Sequence, residues 1–223
     1  MTLAPDAVRS MFDRIAPVYD AMNRVMTAGL DVRWRRTAAA AVVRRGDRVL
    51  DAACGTGDLA VADLRAGASA VTGLDFSQRM LERARRKEPR VEWVEGDLLA
   101  LPFADGGFDA ATIGFGIRNV ADLEVGLREL RRVLRPGGRL AILEITQPRG
   151  VLRPFFDLWF DRLVPWLGRL LPGGDAYSYL PASVARFPGA EELAELLRRA
   201  GFEDVGFRLL AGSIIALHTG RAA

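Results

Sequence analysis

The chain has 223 residues, half of them hydrophobic and 26% charged, which suits one soluble α/β domain with a sizeable core. One cysteine, Cys54, excludes an internal disulfide and a cysteine-rich metal site, and the absence of an 18-residue apolar run excludes a spanning helix. The net charge of +3 is modest, and the arginines are scattered (Arg35-Arg36, Arg44-Arg45, Arg85-Arg86, Arg131-Arg132), so they read as solvated helix faces and not as a nucleic-acid patch.

Residues 1–45 read as helical, broken at Pro17, with Tyr19, Asn23, Arg33 and Trp34 among apolar positions. No secretory h-region precedes Pro17, so a cytoplasmic location is expected. Residues 46–147 alternate short apolar strands (48–53, 70–75, 91–95, 108–114, 138–145) with amphipathic helices near 57–66, 78–88 and 122–134. That alternation is the βαβ signature of a parallel sheet. Lys87, in the second of those helices, is the only lysine, which reads as codon composition or a hot habitat. Pro136-Gly137-Gly138 predicts a sharp turn that ends the third helix and launches the next strand.

Residues 148–189 break the alternation. Within 151–171, Phe156, Trp159, Phe160, Leu163, Trp166 and Leu167 make an apolar face, and Arg153, Asp157 and Asp161 a polar stripe. The stretch reads either as an extra covering helix or as a lid that receives an apolar substrate or touches a membrane. Over 190–223 a helix to residue 200 ends at Gly201, and strands near 202–210 and 213–219 meet at Ala211-Gly212. The whole is expected to be a single domain with a seven-stranded sheet and helices on both faces.

The run Val49-Leu50-Asp51-Ala52-Ala53-Cys54-Gly55-Thr56-Gly57-Asp58 reads as a buried strand, a glycine turn and a helix start. Such a turn brings backbone N–H groups and the positive end of a helix toward a ligand. Gly55-x-Gly57-x-x-Ala60 followed by Asp75 also fits a dinucleotide fingerprint, and nicotinamide chemistry stays open as an alternative. Three acids favour S-adenosylmethionine. Asp51 could meet a cationic amino group, Asp58 would repel a pyrophosphate, and Asp97 at the end of the third strand suits an adenine amino group. Cys54 reads as a small structural residue in this turn.

Several further pieces carry a resemblance over residues 9–220. They are Phe12-Asp13-x-Ile15-Ala16-x-x-Tyr19-Asp20-x-Met22-Asn23 with Gly29 and Trp34-Arg35, then Gly114-Phe115-Gly116-Ile117-Arg118-Asn119-Val120. Arg132 to Arg139 with Glu144, and Tyr177-x-Tyr179-Leu180-x-x-Ser183-Val184-x-x-Phe187-Pro188, complete the set. With these the chain closely resembles the UbiE/MenG family of C-methyltransferases, which methylate ubiquinone and menaquinone precursors. Asp31, Gly114 and Glu144-Ile145-Thr146 depart from its usual residues.

The resemblance implies a Rossmann-like class I methyltransferase sheet, S-adenosylmethionine as cofactor and a polyprenyl quinol as substrate; a sterol or phenolic acceptor remains the alternative. It implies that Thr56 and the neighbouring Gly55 and Gly57 hold the methionine part. Asp75, followed by Phe76, would accept the ribose hydroxyls, and Asp97 with the Leu98 backbone would hold adenine. Methyl transfer to a ring carbon needs a group to stabilise a phenolate and a path for its proton, but no metal. Arg118 is the first candidate for the charge, with Asn119 beside it to orient substrate or water, and a structural ion pair is the alternative for Arg118. Tyr19, Asp13 and Asn23 are substrate-side candidates; Tyr177 and Tyr179 read equally as pocket or core, and His218 as structural. A polyprenyl tail would make 151–171 a cradle or a peripheral membrane contact. No nucleic-acid partner is expected, and any oligomer is expected to be a homodimer.

Overall fold

In the computed structural model, which describes residues 5–147 and 175–223, seven strands are present. They are β1 (Arg48–Ala52), β2 (Ala70–Asp75), β3 (Glu92–Glu95), β4 (Phe108–Gly114), β5 (Leu134–Ile145), β6 (Phe202–Leu210) and β7 (Ile215–Ala222). The helices are α1 (Pro5–Ile15), α2 (Tyr19–Met26), α3 (Leu30–Val42), α4 (Asp58–Ala66), α5 (Gln78–Lys87), α6 (Leu123–Val133), α7 (Asp175–Arg186) and α8 (Ala190–Arg199). The 151–171 stretch expected to be a covering helix or lid lies outside the described residues.

One sheet runs in the order β3-β2-β1-β4-β5-β7-β6, and only β7 is antiparallel to its neighbours. Successive strand residues point to opposite faces, and both faces are covered. Val49, Val71, Ala110 and Leu143 pack with Ala38 and Ala39 of α3 and Leu59 and Ala60 of α4. Leu50, Leu74, Ile113 and Ile142 pack with Leu127 and Leu130 of α6 and Leu193 and Leu197 of α8. Asp51 shares parity with Val49, so its carboxyl lies on the α3–α4 side. The strand order reverses between β1 and β4, and open α/β sheets bind ligands at the carboxyl ends of such a pair.

Local chemistry fixes the helix starts. Ser77 caps α5 by accepting from the Met80 N–H at 3.2 Å, and Asp122 caps α6 by accepting from Val125 N–H at 3.0 Å. The N-terminal segment breaks after Ile15 and resumes at Tyr19, around Pro17 as expected. Two expectations change. Pro136-Gly137-Gly138 does not precede the strand but lies inside β5: Leu134 already pairs with Phe108, and pairing resumes at Arg139 with Ala110. Gly137, at φ +71°, lets the extra residues loop out without ending the strand. The final strand also begins later, at Ile215, because residues 211–213 form a short 3-10 turn.

Candidate functional site

β1 ends where Ala53 takes φ +51°, and Gly55 and Gly57 follow at φ +55° and +83°. Gly55 faces a cavity, its N–H donates to Asp75 Oδ2 at 2.8 Å, and nothing lies within 4 Å of where a Cβ would stand. Gly57 also meets a packing requirement. A Cβ there would lie 2.3 Å from the Trp93 ring, and one on Gly73 would lie 2.4 Å from it. Both glycines therefore admit an indole that seals the back of the turn. Phe115, after β4, also holds a left-handed φ of +62°, so strained residues flank the β1–β4 crevice on both sides.

The crevice has two parts. The inner part, about 40 Å³, is lined by Phe12, Tyr19, Arg35, Asp51, Cys54, Gly55, Thr56, Phe115 and Asn119. The outer part, about 690 Å³, runs past Phe76, Asp97, Leu98, Ile117, Arg118, Asn119, Tyr179 and Phe187. Asp75, Phe76, Ala53, Gly116 and Asn119 border both.

Asp51 is wholly buried; its Oδ2 accepts the Ala60 N–H at 2.8 Å, and its Oδ1 has no partner. Burial pushes its carboxyl up to about 8, against the Ala60 hydrogen bond and the Arg35 charge. Asp75 accepts from Gly55 N–H and, at 2.9 Å, from Ser77 N–H, and burial raises it to about 6. The cap of α5 is Ser77, and a carboxylate's four lone-pair sites leave Asp75 acceptor capacity for a ligand. Exposed Asp97 accepts the Leu99 N–H at 2.9 Å and stands beside Leu98 on the outer cavity. The Cys54 thiol is pushed up by burial and then by Asp75 and Asp51, as befits a structural thiol.

Asp58 plays a different part from the one expected. It heads α4 and pairs with Lys87 at 2.7 Å and Arg24 at 2.8 Å. Burial works against its charge, but Lys87, Arg35 and Arg24 outweigh that and hold its carboxyl below the usual range. Its charge is thus balanced within the protein, whereas Asp51 in the inner part keeps an unpartnered oxygen. The only lysine does more than its composition implied: Lys87 Nζ donates to Asp58, to Asp20 Oδ2 at 2.7 Å and to Thr56 Oγ1 at 3.2 Å. Thr56 Oγ1 also donates to Asp20 Oδ1. Asp13 accepts from Ser77 Oγ at 2.6 Å. These bonds clasp α1 and α2 over the turn, with Phe12 edge-on to both Tyr19 and Phe76.

Arg118 and Asn119 sit on a short 3-10 turn after β4. Arg118 Nη1 donates to Glu144 Oε1 at 2.8 Å and to the Phe115 carbonyl, in a pair 9% and 1% exposed. The structural ion pair weighed for Arg118 is therefore present, and its Nε is buried without a partner. Asn119 Oδ1 is likewise buried and unpartnered at the junction of the two parts. His218 Nε2 bonds the Ala190 carbonyl at 2.8 Å, away from the crevice, and burial lowers its basicity. Tyr179 lines the outer part, and the side chain of Tyr177 lies outside the described residues. Besides Lys87, two residues were given no role of their own in the sequence. Asp20 anchors α2, and Asp63 lies fully buried on the otherwise apolar face of α4.

The residues present fit S-adenosylmethionine. An unpartnered buried carboxylate oxygen suits an amino cation, the Gly55 position leaves room for close backbone approach, and Asp75 and Asp97 stand at successive strand ends. Comparison with known proteins agrees. The chain is 48% identical over 218 residues to a demethylmenaquinone methyltransferase of Thermus thermophilus, covering 94% of this chain and 99% of that one. It is 41% identical over 230 residues to the ubiquinone/menaquinone biosynthesis C-methyltransferase UbiE of Geobacter sulfurreducens, covering 99% and 90%. A SAM-dependent methyltransferase of Thermotoga maritima superposes with a TM-score of 0.68 at 23% identity, covering 96% and 99%. The [4+2]-cyclase SpnF reaches 0.74 at 21%, covering 99% and 97%, a likeness of fold alone. The sequence model of the ubiE/COQ5 methyltransferase family matches residues 1–222, and the chain belongs to that family.

Proposed function

We propose that this chain methylates a ring carbon of a polyprenyl quinol, with S-adenosylmethionine as donor. One observation carries the reading: in a chain of the ubiE/COQ5 family, wholly buried Asp51 keeps an unpartnered oxygen in the crevice at the strand-order switch. When bound, S-adenosylmethionine supplies an activated methyl group, so the protein's work is placement and control of charge. Asp51 Oδ1 would hold the amino cation, Thr56 and Gly55 the rest of the methionine part, Asp75 the ribose hydroxyls, and Asp97 with Leu98 the adenine.

The acceptor carbon becomes nucleophilic when a neighbouring ring hydroxyl gives up its proton. Asn119 Oδ1 is a buried acceptor between the two parts of the crevice and can orient that hydroxyl. Arg118 has committed Nη1 to Glu144 and Phe115, and its buried Nε, which has no partner, is a donor that could support a phenolate oxygen. Tyr19 and Phe12, on the clasped helices, would exclude water from the transfer. Contact of 151–171 with a membrane surface is part of the proposal and rests on sequence pattern; a liposome that fails to retain the protein in the presence of quinol would remove it.

The test is turnover on demethylmenaquinol and on a demethylated ubiquinol precursor, side by side. Activity on either supports the reading. Activity on neither, with S-adenosylmethionine still bound, overturns the substrate and keeps the cofactor.

A further inference from the structure

Beneath the cofactor crevice lies a second acid that the reaction does not use. Asp63 of α4 is fully buried, its Oδ2 accepts from Thr112 Oγ1 at 2.7 Å, and its Oδ1 has no partner. Thr112 on β4 stands in register with Asp51 on β1, so Asp51, Thr112 and Asp63 share the α3–α4 side of the sheet. Two buried carboxyls thus lie on one side of the sheet, bridged in register by Thr112, each with one orphaned oxygen. Two like charges in so dry a place cannot both be carried without compensation.

The surroundings supply little of it. From α3, Arg35 lowers Asp51 by its charge, and its Nη1 is already paired with Asp31. From α4 come Asp58 and the Ala60 N–H, from β2 comes Asp75, and after β1 comes the thiol of Cys54. β4 contributes Thr112, which is neutral. Burial raises Asp51 to about 8, and Asp63 is raised well above its ordinary value by burial and then by Asp51.

We propose that Asp51 and Asp63 are both protonated in the free protein at neutral pH, and that seating a cationic group at Asp51 Oδ1 expels one proton while Asp63 stays protonated. The balance is simple: Asp51–COOH loses its proton to solvent, the carboxylate pairs with the incoming cation, and Asp63 remains neutral beneath it. Asp63 is a positioning residue that acts through Asp51; were it ionised, the carboxylate that meets the cation would sit against a second buried charge. Cofactor affinity is therefore coupled to pH, rising as the proton becomes easier to remove. The inference rests on the cofactor reading above, and its test separates the two.

Titration calorimetry of the full chain with S-adenosylmethionine, run near neutral pH in buffers of different ionisation enthalpy, counts protons released. About one proton per bound cofactor is expected near neutral pH, falling as pH rises through about 8. Asp51→Asn should bind more weakly and release none. Asp63→Asn, which mimics the protonated acid, should keep both binding and release. Binding without release in the wild type overturns the proposal; so does loss of release in Asp63→Asn, because Asp63 would then have carried the charge. Infrared spectra of the wild-type protein alone give a second reading that needs neither ligand nor folded variant. Two protonated-carboxyl C=O bands at neutral pH are expected, and their absence overturns the proposal even if the cofactor reading fails and nothing binds.

Discussion

Lys87→Met removes one charge and leaves most of the side-chain stem. In the structure that charge meets Asp20 Oδ2 and Asp58 Oδ1 at 2.7 Å each, and Thr56 Oγ1 at 3.2 Å. Neither ion pair is deeply buried: Lys87 is 28% exposed, Asp20 32% and Asp58 14%. Solvent and salt therefore reduce each to the range of roughly 0.2–1 kcal/mol. Asp58 keeps Arg24 and Asp20 keeps Thr56, so neither acid is stranded. The summed loss is at most about 2 kcal/mol, about 1–2 with the Thr56 hydrogen bond included, and falls on the attachment of α2 to the turn, while the sheet keeps its packing. Opening of α2 should become roughly 5–30-fold more frequent. Amide hydrogen exchange followed by peptide reads this directly: protection over residues 19–26 drops by that factor, and protection over β4 is unchanged. Added salt should lower α2 protection in the wild type and have little effect on the variant. Equal loss over α2 and β4, or no loss over α2, refutes the clasp. Because Phe12 and Tyr19 narrow the inner part to about 40 Å³, the variant should also take up S-adenosylmethionine faster in stopped-flow tryptophan fluorescence.

Gly57→Ala puts a Cβ against the Trp93 ring at φ +83° and should cost roughly 1–3 kcal/mol in urea unfolding, partly regained with Trp93→Leu. No recovery in the double variant would mean the ring is not what requires the glycine. Glu144→Gln strands the buried Arg118 charge and should destabilise by roughly 3–5 kcal/mol, whereas exchanging both for Met recovers most of that. If the double variant is as unstable as the single one, the pair is not what holds this turn. Asp51 and Asp75 have folded values raised to about 8 and about 6, above the ordinary 3.8, so the stability they give is complete below about pH 4. It is lost as pH rises through those folded values; Asp75 alone accounts for roughly 3 kcal/mol. Lowered Asp58 and Asp109 act below 3.8 and Glu88 and Glu129 below 4.5, at the foot of that window, while His218, lowered from 6.5, offsets part of the fall within it. Urea midpoints of the ligand-free protein should therefore fall between about pH 4 and 8; a flat or rising profile contradicts the assigned burial.

Strands and acids were legible because both are local signals. Each parallel strand is a short apolar run, and Asp51 and Asp75 lie near or at the ends of theirs, in sequence as in space. A seven-stranded sheet followed from that alternation and the closing hairpin, whereas the strand order came only with the fold. Pairings across long separations were not legible. Lys87 meets Asp20 across 67 positions and Asp58 across 29, so nothing near Lys87 in the chain announces its partners. Arg118 reads either as a catalytic cation or as half of an ion pair, and its partner Glu144 lies 26 residues on. Gly57 fits a ligand loop by spacing, and only the fold brings Trp93 behind it. Asp63 did leave a trace. It lies four residues after Leu59 and three after Ala60, on the buried stripe of α4 where an acid is out of place.

The central claim is transfer of a methyl group from S-adenosylmethionine to a quinol ring carbon. Incubation of the protein with methyl-labelled S-adenosylmethionine and demethylmenaquinol, followed by isotope-edited NMR of the quinone, reads it most directly. The account predicts the label on a ring carbon, with one S-adenosylhomocysteine formed per methyl transferred. Label on a quinol oxygen, or none on the quinone while the cofactor is bound, would contradict it.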